Sequence, residues 1–218
     1  MIVAVCIPTR GMLFTRTTQC VFDGMQKLNG LGIGTKLITS HDLPIPDSHN
    51  YCAETALSDS AVDKVFFVEE DMFIFPETFV ALATADYDMA TVQYNDKNGR
   101  PHGIIEFDNN GEVVWCGLGA TVIRRVVLEA LDRPFFEIKR RWKNIRETKW
   151  NGEKITKYEP VSRESIYQYG GLDVDFCMRV RKLGYKITAL PEHKAHHFQL
   201  IKLGEPHINK GTHEIRQV

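Results

Sequence analysis

Val65-Phe66-Phe67-Val68-Glu69-Glu70-Asp71 is the stretch on which the fold turns. Four consecutive β-branched and aromatic residues read as a strand covered on both faces, the situation of a parallel strand between two helix layers. Three carboxylates follow at once. At the end of a buried strand they are costly unless hydrated, paired or bound to a cation. Hard oxygen ligands suit Mg²⁺ or Mn²⁺. Taken alone, the triplet is explained more simply by a solvated strand-to-loop turn, so the rest of the chain must decide.

Upstream, Val3 to Ile7 is another continuous apolar run and Lys36 to Thr39 a short strand. Met89 to Tyr94, downstream, is a fourth strand. Helical patterns lie between them: Thr15 to Leu28, closed by Asn29-Gly30, then Tyr51 to Leu57, then a helix opened by Pro76-Glu77. The first half therefore reads β-α-β-α-β-α-β. This predicts an α/β fold with a mostly parallel, doubly wound sheet flanked by helices. Ligands collect at the carboxyl ends of such strands, where Pro8, Thr9 and Arg10 join Glu69 to Asp71.

The second half differs. Ile104 to Phe107 and Val113 to Trp115 flank Asp108-Asn109-Asn110-Gly111, a hairpin signal. A helix is expected from Arg125 to Leu131, a long polar loop over 139–164, an amphipathic helix from Asp173 to Leu183, and short strands at Lys186–Leu190 and Lys194–Phe198. A chain of 218 residues suits one such domain, 1–218, whose halves 1–100 and 101–218 differ in pattern.

Bulk composition excludes several classes. A net charge of -1 provides no global field for nucleic acid or anionic membrane. No apolar run reaches the length of a bilayer span, so no integral membrane association is expected. The N-terminus lacks the basic region and cleavage site of a signal peptide. Five widely spaced cysteines without a Cys-x-x-Cys pair suit reduced thiols in a cytoplasmic protein better than disulfides or zinc.

Three further stretches carry chemistry. In Gly170-Gly171-Leu172-Asp173-Val174-Asp175, Asp173 stands near a helix N-terminus, where backbone N–H groups and the dipole favour an ionised carboxylate, available as a base. Plain capping uses the same residue type. In His193-Lys194-Ala195-His196-His197-Phe198, adjacent histidines on a strand face opposite ways, so at most one joins a metal site. Lys139 to Trp150 mixes basic and aromatic residues, which suits contact with phosphates and stacking on bases or sugars, or else a solvated, tryptophan-anchored loop.

The order of these elements resembles the GT-A glycosyltransferases, in particular their large inverting family with bacterial and phage members. The resemblance spans roughly residues 1 to 200 and implies a nucleotide-binding half over 1–100 and an acceptor-binding, catalytic half over 101–218. It implies transfer of a sugar from a nucleotide-sugar donor, commonly UDP-linked, to an acceptor hydroxyl. Glu69-Glu70-Asp71 resembles the family's Asp-x-Asp motif, with Asp71 the metal ligand, Glu69 facing the ribose, and Glu replacing the first Asp. His196 or His197 matches the late metal-binding His. Asp173 falls on the catalytic base, with Leu172 replacing the family's Glu before it, and Asp175 and Arg179 match the tail of that helix. Pro8, Thr9 and Arg10 occupy the first nucleotide-binding loop, and Ser40 and Asn50 the positions of base and ribose contacts. Gly117-Leu118-Gly119-Ala120 resembles the stretch beside donor sugar and acceptor, where Gly117, Gly119 and Asp175 are expected. The implied cofactor is Mn²⁺ or Mg²⁺. The acceptor stays open among protein, small molecule, glycan and modified DNA. Two other classes share the architecture: a nucleotidyltransferase making nucleotide sugars, disfavoured by the single glycine in Pro8-Thr9-Arg10-Gly11-Met12, and a non-catalytic nucleotide- or carbohydrate-binding module.

Overall fold

The structure, a computed structural model, describes residues 1–95, 105–138 and 171–198 in full, and the backbone alone of the strands at 142–150, 153–160, 207–208 and 215–216. In chain order the elements are β1 (Ile2–Ile7), α1 (Thr15–Gly30), β2 (Gly34–Thr39), α2 (Asp47–Leu57), β3 (Lys64–Val68), β4 (Met72–Ile74), α3 (Pro76–Thr84) and β5 (Met89–Asn95). There follow β6 (Ile105–Phe107), β7 (Val113–Cys116), β8 (Ala120–Arg124), α4 (Arg125–Glu129), β9 (Trp142–Trp150), β10 (Glu153–Pro160), α5 (Leu172–Lys182), β11 (Ile187–His197), β12 (His207–Ile208) and β13 (Ile215–Arg216).

Seven strands form one sheet in the order β2-β1-β3-β8-β5-β11-β4. The pairs β1–β2, β1–β3 and β5–β11 are parallel. The expected parallel run from β3 to β5 is interrupted, because β8 lies between them and is antiparallel to both. The short β4 closes the far edge, antiparallel to β11. β11 is one strand rather than the two expected, with a register irregularity between Ala189 and Lys194.

Strand alternation divides the core into two layers. Val3, Val5, Ile7, Phe66 and Val68 face α1 and α3, with Cys20, Val21, Leu28, Phe79 and Leu82. Ala4, Cys6, Val65, Phe67 and Ile123 face α2, α4 and α5, with Cys52, Ala53, Val127, Phe176 and Cys177. Both faces of β1 and β3 are thus covered, which is why their sequences lack alternation. Gly24, inside α1, lets the Phe79 ring approach: a Cβ there would lie 2.4 Å from the ring. All five cysteines are buried and free.

The hairpin β6–β7 forms as expected, with Asp108 Oδ1 accepting hydrogen bonds from the Asn110 and Glu112 N–H groups. The expected loop over 139–164 is corrected in part, since β9 and β10 pair antiparallel from Trp142↔Pro160 to Trp150↔Glu153. The overlooked signal was Asn151-Gly152, the dipeptide that favours a two-residue hairpin turn. The basic-aromatic side chains of 139–150, like Gly170, lie outside the described residues. α2 begins at Asp47, four residues before the helical pattern at Tyr51. Among the described residues no helix is long and apolar enough to cross a membrane.

Candidate active site

The end of β3 carries Glu69, Glu70 and Asp71 onto the carboxyl edge of the sheet, and the end of β11 carries His197 there. Asp71 Oδ2 lies 3.1 Å from His197 Nε2. The Phe198 N–H donates to the Asp71 carbonyl at 2.8 Å, tying the strand ends by their backbones. Glu69 completes a trio: one ligand atom from each of Glu69, Asp71 and His197 lies within 4.8 Å of the others. Two atoms bound to one small divalent ion at about 2.1 Å are at most about 4.2 Å apart, so the observed spread is close to what such an ion needs. Two carboxylates and an imidazole form a donor set of the kind that holds a divalent cation. His196 stands apart from this trio, its ring against Phe73 and Phe75. The alternation between adjacent strand residues thus separates the two histidines.

Asp173 meets the same cluster from α5. Burial pushes its carboxyl up to about 7. Burial first, then the charges of Asp173 and Asp71, push Glu69 up to about 8. The expectation that the helix terminus keeps Asp173 ionised is corrected here. Gly171 is the N-cap, no side-chain cap bond forms, and burial outweighs the dipole. For His197, the hydrogen bond to Asp71 outweighs burial and raises the imidazole above its ordinary value.

Of the remaining expected residues, Arg10 and Glu70 line the cavity beside the cluster, while Ser40, Asn50 and Asp175 are engaged in contacts within the fold. The Ser40 hydroxyl accepts from the Thr9 N–H at 2.8 Å and donates to the Thr9 carbonyl at 3.0 Å, locking the loops after β1 and β2 together. Pro8 lies between β1 and this lock. Arg10 donates to Glu70 from its backbone N–H, Nε and Nη2 at 3.0, 3.0 and 2.6 Å. Burial opposes ionisation of Glu70, but these bonds outweigh it and hold the carboxyl below its usual range. Asn50 uses both ends of its amide on Phe136, donating to the carbonyl at 2.8 Å and accepting from the N–H at 3.0 Å. That arrangement clamps the segment before β9. Asp175 is buried, 3.8 Å from Arg179, which itself donates to the carbonyls of Asp132, Pro134 and Phe135.

The Gly117–Gly119 turn lies against the acidic strand end. The buried Tyr94 hydroxyl donates to the Gly117 carbonyl at 3.0 Å and accepts from the Ala120 N–H at 2.7 Å. The Gly119 carbonyl in turn accepts from the Glu69 N–H at 3.1 Å. Gly119 also admits the Glu69 side chain, since a Cβ there would lie 2.9 Å from Oε2. Beside these groups Arg10, Met12, Phe14, Glu70, Asp71, His197 and Phe198 line a cavity of about 340 Å³.

Sequence reasoning missed two participants. Tyr94 appeared only as the last residue of a strand. His49, just ahead of the helical pattern at Tyr51, was not singled out, and the fold buries it between Phe67 and Phe136 with Nε2 4.0 Å from Glu69 Oε1. Burial lowers its imidazole to about 4. Neither position carries a local motif, because each acts through neighbours distant in sequence.

An antiparallel strand inside a parallel sheet, with acids at the edge beside it, decides the architecture. The fold is GT-A-like. Among solved structures, A197 from STIV aligns over 91% of this chain and 86% of its own, at a TM-score of 0.58 and 21% identity. S. aureus TarS aligns over 90% of this chain and 60% of its own, at 0.48 and 14%. The inositol-1-phosphate CTP transferase from T. maritima aligns over 90% and 88%, at 0.46 and 9%. No protein-family model matches the sequence, and no curated protein matches it significantly. At 21% identity the likeness to A197 is one of fold.

Proposed function

We propose that this chain is a metal-dependent glycosyltransferase, moving a sugar from a nucleotide-sugar donor, UDP-linked in the commonest case, to an acceptor hydroxyl. The observation that carries the reading is the convergence of Glu69, Asp71 and His197 within 4.8 Å, on the edge where Asp173 also arrives. Glu69, Asp71 and His197 would hold Mn²⁺ or Mg²⁺, whose chemistry when bound is to neutralise the donor diphosphate.

Asp173 is the group available to accept the acceptor's proton. A carboxylate raised to about 7 is ionised in a useful fraction at neutral pH and is a stronger base than an ordinary aspartate. The acceptor oxygen then bonds to the anomeric carbon, the bond from that carbon to the nucleoside diphosphate breaks, and the configuration inverts. Arg10, held by Glu70, keeps its guanidinium at the cavity wall, and the Thr9–Ser40 lock fixes the loop that carries it.

A nucleotide-sugar panel tests this directly, with Mn²⁺ present and absent, reading melting temperature and release of nucleoside diphosphate. Metal-dependent stabilisation by one donor, and its turnover, are expected. Asp173→Asn should abolish turnover and spare donor binding. Release of pyrophosphate from a nucleoside triphosphate, with no donor turned over, would overturn the reading in favour of nucleotidyl transfer.

A further inference from the structure

Glu69 occupies a position where the resembling family has Asp, one methylene shorter, and its surroundings are built for the longer side chain. On one side is Gly119. A Cβ at that residue would lie 2.9 Å from Glu69 Oε2 and 3.2 Å from its Cδ, so the absence of a side chain is what admits the carboxylate. On the other side is His49, near the start of α2. Its ring is 1% exposed, stacked on Phe67 at 5.7 Å and edge-on to Phe136 at 5.5 Å. Nδ1 lies 3.4 Å from the Ser48 hydroxyl. Nε2 is fully buried, makes no hydrogen bond among the described residues, and lies 4.0 Å from Glu69 Oε1.

A buried ring nitrogen without a partner is unfavourable, and native structures retain few such groups. The fold keeps this one aimed at the one carboxylate that meets both Asp71 and His197. We propose that His49 is a positioning residue that fixes the Glu69 carboxylate for a divalent ion shared with Asp71 and His197, by donating from Nε2 to Oε1. The inference rests on the metal reading above. At 4.0 Å the contact is about 1 Å longer than a hydrogen bond, a distance one side-chain torsion covers. The Ser48 hydroxyl, acting as donor to Nδ1, leaves the proton on Nε2 where this role needs it. Ligating carboxylates are commonly hydrogen-bonded in this way, and loss of such partners typically weakens metal binding about 10- to 100-fold.

The test is Mn²⁺ titration of the whole chain without nucleotide, following the paramagnetic resonance signal of free Mn²⁺, beside thermal melts. His49→Phe fits the same aromatic slot and lacks the donor. Its expected behaviour is a melting temperature at or above the wild type and Mn²⁺ affinity about tenfold weaker. His49→Gln restores an N–H near the Nε2 position and should recover most of that loss. Gly119→Ala reaches Glu69 from the opposite side and should weaken Mn²⁺ similarly. His49→Leu, also apolar and without a donor, takes the place of the Phe variant should that one fail to fold, and wild-type Mn²⁺ affinity in it would likewise overturn the role. If His49→Phe binds Mn²⁺ as the wild type does, or Gln is as weak as Phe, the positioning role is overturned and the metal site stands. If wild type and Asp71→Ala bind Mn²⁺ equally poorly, the metal reading fails and takes this inference with it.

Discussion

Replacing Tyr94 by Phe removes one oxygen and nothing else from the core. The ring is 2% exposed and its hydroxyl makes two hydrogen bonds, both to the turn that faces the acidic cluster. The two partners fare differently. The Gly117 carbonyl keeps a second donor, the Thr121 hydroxyl at 2.8 Å. The Ala120 N–H, in a residue with no exposed surface, loses its 2.7 Å acceptor. One orphaned buried donor costs about 1–3 kcal/mol. With a melting shift of about 2–4 °C per kcal/mol for a chain of this size, the expected fall is about 6 °C. Because the Gly119 carbonyl holds the Glu69 N–H, a loosened turn should also weaken Mn²⁺ binding. Differential scanning calorimetry measures the first effect and Mn²⁺ titration the second, with the half-exposed Tyr87→Phe as control. A Tyr94→Phe melting point within about 1 °C of wild type would refute the assignment of the hydroxyl as the turn's anchor.

Further outcomes follow from the same geometry. Gly24→Ala gains helix propensity of about 1 kcal/mol, but its Cβ would sit 2.4 Å from the Phe79 ring, and overpacking against an aromatic ring costs more. A net loss near 2 kcal/mol is expected, read as a lower denaturant midpoint with unchanged slope. Asp71→Ala should abolish metal-dependent nucleotide binding in a thermal-shift titration, and unchanged binding would contradict its place in the trio. Glu69 and Asp173, with folded values of about 8 and about 7, bind more protons folded than unfolded from about pH 4, the ordinary carboxylate range, up to about 8. Stability of the metal-free protein should therefore decline as pH rises through that window. Asp173→Asn should flatten the decline. His49, lowered to about 4, acts in the opposite sense between pH 4 and 6.5 and offsets part of that decline there, so above pH 6.5 the two carboxyls act without that offset.

The sequence made β1 and β3 legible because both faces of each are buried, leaving unbroken runs of apolar residues. The acidic end of β3 and the late histidine were visible as residue types, and the strand period separated His196 from His197. What stayed hidden depended on the third dimension. Thr121-Val122-Ile123 is a β-branched run that marks β8, but the glycines before it drew the reading toward a ligand loop. No periodicity says that this strand enters between β3 and β5. His49 and Tyr94 acquire their neighbours only after folding. The carboxyl of Asp173 depends on burial by elements distant in the chain, and a helix-terminus argument sees only the local field.

The position of β8 also bears on how the two halves of the chain depend on each other. Residues 1–95 alone would leave β3 and β5 each with an unpaired edge facing the gap where β8 belongs, and β5 would lack β11 as well. Open edges of that kind recruit other chains. The acid-bearing half is therefore a poor candidate for separate expression, and supplying residues 105–198 in trans is the natural way to rescue it.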